Sequence, residues 1–140
     1  MARRRLIDPG VWYSGHFKRF NNRQRLLWIG LISMSDDEGK FKAEPAVIKS
    51  SVFPFDRINP KVISVDLQKI EEEGLIKRYE IDGDVYGRIV KWTKYQKPSH
   101  ATPSKIPDPS TKPSGASHET LRRSFRLTGD QSSSEQSKEV

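Results

Sequence analysis

The sequence predicts an α+β fold of winged helix-turn-helix type, with a three-helix core, a small antiparallel sheet carrying a β-hairpin wing, and a disordered C-terminal tail. Three observations predict it. First, residues 59–90 read as a capped helix followed directly by a hairpin. Asn59 is a good N-cap and Pro60 a good first helical residue. Ile63, Leu67 and Ile70 then recur at helical spacing, and Gly74 ends the helix in a left-handed cap. Residues 75–81 and 85–90 are rich in β-formers, and Asp82-Gly83 between them is a two-residue hairpin turn. Second, the preceding elements follow winged-helix order: helix, short strand, helix. Third, composition changes near residue 100, where a Pro/Ser/Thr-rich run begins.

The first basic residues are Arg3, Arg4 and Arg5, read either as a solvated terminus or as a flexible arm for DNA phosphates or a minor groove. Val11, Trp12, Tyr13, Phe17 and Phe20 crowd a short stretch in which Ser14 can cap a helix over 16–20. Aromatics this dense read as a core lid rather than a stacking platform. His16 reads as structural or surface. Asn21 and Asn22 can cap the next helix, about 23–35, whose apolar residues cover most of its circumference and predict a central, buried element. Gly30 within it implies close approach by another element. Asp36, Asp37 and Glu38 read as a solvated turn, since the alternating-oxygen spacing of a calcium loop is absent. Lys40-Phe41-Lys42 suits a charged edge strand able to join the hairpin as a third strand. A short helix over 45–51 closes at Pro54, with Phe53, Phe55 and Ile58 as anchors of the turn that follows.

The third main helix has two faces. Ile63, Leu67 and Ile70 point to the core; Lys61, Ser64, Val65 and Gln68 lie opposite, with Lys69 at the border. On a recognition helix, Gln68 suits an adenine edge, and Lys61 and Ser64 suit phosphates or bases. The run Glu71-Glu72-Glu73 must then point away from DNA, and it sits unfavourably at a helix C-terminus. In the hairpin, the Asp82-Gly83 turn sets Ile81 opposite Asp84, Tyr79 opposite Tyr86 and Lys77 opposite Arg88. Like charges directly opposed are destabilising, and a phosphate between Lys77 and Arg88 would remove that cost. In residues 91–98, Lys91 and Lys94 interleave with Trp92 and Tyr95. The pattern suits either nucleic acid or aromatics packed inward under exposed lysines.

The charge balance favours a polyanionic partner. The 140-residue chain carries a formal +7, with 19 basic against 13 acidic side chains in residues 1–100 and six against five in 101–140. A hydrophobic fraction of 34% divides the chain into a folded domain, 1–100, and a linker and disordered tail, 101–140. Within the tail, residues 117–127 carry Leu121, Phe125 and three arginines, a patch able to fold on a partner. No cysteine is present, and His16, His100 and His118 lack ligand spacing, so no metal or cofactor is expected. No nucleophile–base pair, phosphate loop or carboxylate dyad stands out, so no enzyme is expected. No secretory signal or apolar span is apparent, and a cytoplasmic location is expected.

Leu6-Ile7-Asp8-Pro9 with Trp12, then Arg25 to Leu31, Asp36-Asp37-Glu38-Gly39, Phe53-Pro54, Gly74 to Tyr79 and Trp92 to Pro98 together resemble the N-terminal winged-helix domain of phage and prophage replication proteins of the replisome-organiser kind. The resemblance covers roughly residues 4–107. It implies double-stranded DNA as partner, an origin-binding role in a bacterial host cell, and contact with replication proteins through the tail. Longer members carry a second domain after the linker, where a short polar tail follows here. A transcriptional regulator on the same fold and a winged-helix protein–protein adaptor are the other readings.

Overall fold

The computed structural model describes residues 3–109. The order is a 3-10 helix Pro9–Tyr13, α1 (Gly15–Arg19), α2 (Asn22–Met34), β1 (Lys40–Lys42), α3 (Pro45–Val52), α4 (Pro60–Glu72), β2 (Ile76–Ile81), β3 (Asp84–Ile89) and α5 (Trp92–Tyr95). The architecture is α+β: five α-helices and one three-stranded antiparallel sheet of order β1-β3-β2 among the described residues.

The helices begin where side chains satisfy free backbone donors. Asn21 accepts from the Gln24 N–H and the Gln24 side chain accepts from the Asn21 N–H, a reciprocal capping box at α2. Asn59 accepts from the Lys61 N–H at α4, and Ser14 from the Phe17 N–H at α1. α2, α3 and α4 pack against one another, and α4 packs on β2. Leu27 and Leu31 of α2, Ile48 of α3 and Ile63, Leu67 and Ile70 of α4 are fully buried at their meeting point. Gly30 is where α3 comes close: a Cβ there would lie 2.5 Å from Val52 Cγ1.

The hairpin register is the one the Asp82-Gly83 turn dictates. Ile81 pairs with Asp84, Tyr79 with Tyr86 and Lys77 with Arg88. Asp82 and Gly83 both take positive φ, as a two-residue turn of this kind requires. β1 adds to the other edge of β3, with Phe41 opposite Gly87 and Lys40 opposite Arg88. Phe41, Ile76 and Ile89 face the helices. Lys40, Lys42, Lys77, Tyr79, Tyr86 and Arg88 therefore share the opposite face, since partners and alternate residues of a pleated sheet point the same way.

Part of that opposite face, around Tyr79 and Lys40, is covered by the chain itself. Residues 102–109 form a strap: the Tyr79 hydroxyl donates to the Pro107 carbonyl at 2.7 Å, and Ser104 hydroxyl donates to Asp36 at 2.5 Å. The packed unit thus extends past residue 100, where the composition change suggested that a tail begins. The 117–127 patch lies outside the described residues.

Three expectations about the core change. Phe17 and Phe20 are buried as foreseen, but Trp12 is 61% and Tyr13 91% exposed, so half the aromatic lid faces out. Phe53 anchors the turn after α3, whereas Phe55 is 96% exposed. α2 is less enclosed than its composition implies, with Leu26 also exposed.

Candidate nucleic-acid interface

α4 divides into a locked C-terminal half and a free N-terminal half. Its inner stripe is the predicted Ile63, Leu67 and Ile70, joined by one residue its polarity concealed: Asp66, at 1% exposure. Arg23 of α2 grips the Asp66 carboxylate with Nε at 2.6 Å and Nη2 at 3.1 Å, and the Gln24 amide adds a bond at 3.0 Å. A buried carboxylate needs such partners to offset its desolvation. The same α2 residues that start one helix therefore clamp another.

Two of the three acids at the C-terminus of α4, Glu71 and Glu73, are paired with cations of the fold. Glu71 accepts from Arg78 through both the backbone N–H and Nε. Glu73 takes two Nε contacts and one Nη2 contact from Arg19, a contact at 2.8 Å from His16 Nδ1, and Lys69 Nζ at 3.7 Å. Two of the expected site residues have partners within the fold. The Gln68 carbonyl accepts from Arg78 at 2.6 Å and its amide donates to Glu72 at 3.1 Å, both at the surface. Lys69 is turned to Glu73. What remains open is the first half, where Lys61, Val62 and Val65 are exposed and Ser64 half-buried. The Lys61 and Ser64 side chains make no hydrogen bond or ion pair among the described residues.

The Glu73 hub gives a pH signature. Hydrogen bonds from Arg19, and then from His16, hold its pKa down to about 2, from 4.5. A depressed carboxylate contributes stability that is complete above its unfolded value and is lost as pH falls through the folded one. The stability gap between wild type and Glu73→Gln is therefore expected to be full at pH 6 and to close between pH 4.5 and 2. Urea midpoints at pH 6, 4 and 2.5 check this; a gap independent of pH contradicts it.

On the sheet, Lys77 and Arg88 are opposed as predicted, and Lys40 extends them to a row of three cations. Lys77 is exposed, and Arg88 Nε is buried without a hydrogen-bond acceptor among the described residues. The Lys40 end of the row is partnered within the chain. Glu38 lies 3.1 Å and Asp108 4.0 Å from Lys40 Nζ, so the chain's own carboxylates relieve the like-charge contact at that end.

Two N-terminal arginines have partners as well. Arg3 and Arg5 form no free arm. The Arg5 side chain, 4% exposed, pairs with Asp37 at 2.9 Å, donates to the Ser35 carbonyl at 2.8 Å and lies 5.0 Å over the Trp92 ring. Arg3 reaches Asp37 at 3.3 Å and the Ser99 and His100 carbonyls. Arg4 alone of the three is exposed and without a side-chain partner among the described residues. The acidic turn is accordingly an arginine receptor rather than a solvated loop. The Thr102 N–H, then Arg5 and Arg3, hold the Asp37 carboxyl below its usual range.

The run after the hairpin resolves toward packing. Trp92 is buried and donates to the Asp37 carbonyl at 2.8 Å. Tyr95 is 40% exposed beneath the Lys94 ammonium, 5.2 Å from the ring centroid. Lys91 and Lys94 face water. Between this run, α2 and the N-terminal segment lies a cleft of about 540 Å³ lined by Leu6, Val11, Trp28, Ile32 and Leu75. Two of its polar groups, His16 and Glu73, bond to each other.

Among the described residues no His/Cys/Asp/Glu group could hold a metal ion, and no helix is long and apolar enough to cross a membrane. No family model matches the chain, and neither a curated protein nor a solved structure matches it.

Proposed function

We propose that this chain is a winged-helix module that binds duplex DNA with the N-terminal half of α4 as its groove-facing element. The observation that carries the reading is the division of α4: Lys61 and Ser64 stand without internal partners among the described residues, while Asp66, Glu71 and Glu73 are paired with cations of the fold. The α3–α4 pair, the hairpin and the added strand β1 supply winged-helix order. Lys61 takes a phosphate, helped by exposed Arg57 in the preceding turn. Ser64 and Val65 meet base edges, Val65 through a thymine methyl. With Gln68 engaged, backbone contacts dominate and base preference is limited. The hairpin turn carries Asp82 and Asp84, so phosphate contact from the wing falls to Lys77 at its base. Lys91, Lys94 and Arg4 add to the field around the domain.

Within that class, the particular role is initiation or organisation of phage DNA replication. What supports it is the ordered set of motifs from Leu6 to Pro98 that resembles the replisome-organiser proteins. A protein-adaptor reading has one observation in its favour, the exposure of Phe55 and Val65 around the same helix.

Salt separates the two. Contact with about four phosphates gives a slope near −3.6 in log K against log salt, and Lys61→Ala lowers its magnitude by about 1. Anisotropy of a labelled duplex from 50 to 300 mM salt reads this. Weak binding that is flat with salt refutes the DNA reading and favours the adaptor.

A further inference from the structure

We infer that Trp12 and Tyr13, with Lys18 and Arg25 beside them, form a binding site for single-stranded nucleic acid, separate from α4. The 3-10 helix that carries the aromatics is pinned. Asp8 Oδ2 accepts from the Gly10 N–H at 3.0 Å, the Ser14 hydroxyl donates to the Val11 carbonyl at 3.0 Å, and Ser14 in turn caps α1. Trp12 stands perpendicular to the buried Phe17 ring, centroids 5.6 Å apart and planes at 83°. It is held in place yet 61% exposed, and Tyr13 beside it is 91% exposed. Two neighbouring aromatics left in water on an ordered turn are an unsatisfied apolar surface of the kind that marks a binding site.

The chemistry around them selects the ligand. The rings overlook an open groove of about 590 Å³ whose other walls include Lys18, Asn22, Arg25 and Leu26, with no carboxylate among the lining residues. Lys18 is exposed and makes no ion pair among the described residues. Arg25 is oriented by its bonds to the Phe17 carbonyl at 2.9 Å and Asn22 at 3.4 Å, which leave Nη2 without a partner among the described residues. Ring faces beside fixed cations match a polymer that alternates flat bases with phosphates. A duplex hides its base faces in the stack, so an unpaired strand is the form that fits. The site does not rest on the α4 reading and survives its failure.

The test uses the full chain, fluorescein-labelled oligo(dT) and a mixed-sequence duplex of equal length, read by anisotropy. Trp12→Ala is expected to weaken oligo(dT) binding about tenfold. Trp12→Phe should retain most of the affinity, because stacking needs a ring rather than an indole. Lys18→Glu should weaken it and reduce the salt slope. Both Trp12 variants should leave duplex affinity unchanged, with Trp12→Ala lowering the urea midpoint only slightly through the lost Phe17 contact and Trp12→Phe not at all, whereas Lys61→Ala should weaken duplex binding and leave oligo(dT) binding largely intact. The proposal is overturned if wild type does not bind oligo(dT), if Trp12→Ala and Lys18→Glu both bind it as wild type does, or if Trp12→Ala alters only self-association in sedimentation. That last result would make the patch an interface between copies.

Discussion

Gly39→Ala is expected to cost the fold about 3–5 kcal/mol, combining left-handed strain with overpacking. Gly39 ends the acidic turn with φ +81, and a Cβ there would lie 2.6 Å from Trp92 Cγ and 2.7 Å from Cδ2. Trp92 cannot retreat cheaply. It is 4% exposed, its indole N–H is bonded to the Asp37 carbonyl, and the Arg5 guanidinium lies over its ring. Gly74 supplies the control, because it has nearly the same φ of +79 and nothing within 4 Å of an added Cβ. Gly74→Ala should therefore show strain alone, about 1 kcal/mol once the lower entropy of the unfolded chain is counted. Urea unfolding of the two variants isolates the packing contribution as the difference of their midpoints at constant m. Equal losses would mean that Trp92 yields, and that the Gly39–Trp92 contact does not hold the turn to α5.

Ending the chain at His100 instead of Pro109 is expected to destabilise the domain by about 3 kcal/mol. Tyr79 is 1% exposed on the sheet face that residues 102–109 cross, and burying a large side chain contributes roughly 1.5–3 kcal/mol. The strap also bonds to the acidic turn: Thr102 N–H to Asp37, Ser104 N–H to Glu38, and Ser104 hydroxyl to Asp36. A second readout is optical. Burial first, then the nearby Asp108 and Asp36 charges, push the Tyr79 phenol up to about 12 from 10.0. Cutting at 100 should bring that titration back toward 10. If the shorter chain melts with the longer one and Tyr79 still titrates high, the strap is not what covers the sheet.

The hairpin was readable because a two-residue turn leaves one register, and every pair from Ile81–Asp84 to Lys77–Arg88 follows from it. The buried stripe of α4 was readable for a similar reason: three apolar residues at helical spacing have only one face on which to meet. Of the candidate site, Lys61 and Ser64 remain outward and unpaired, while Gln68, Lys69, Arg3 and Arg5 are engaged by acids or carbonyls of the fold. Their charges in sequence look identical to those of free residues. Nothing in the local pattern of Arg5 points to Asp37, or of Arg23 to Asp66, because the partners are 32 and 43 positions away.

The amino-acid sequence by itself determined α1 to α4 and β1 to β3, their order, the hairpin register and the core stripe, since each depends on interactions between near neighbours or on a fixed period; the 3-10 helix Pro9–Tyr13 and α5 were not legible in it. The tertiary structure alone decided which cations stay available. It took Arg3 and Arg5 into an arginine receptor, laid residues 102–109 against Tyr79, Lys40 and the acidic turn, and left Trp12 and Tyr13 outside the core. The physical reason is that a charge or an aromatic ring has many satisfactory partners, and the choice among them is made when distant surfaces meet.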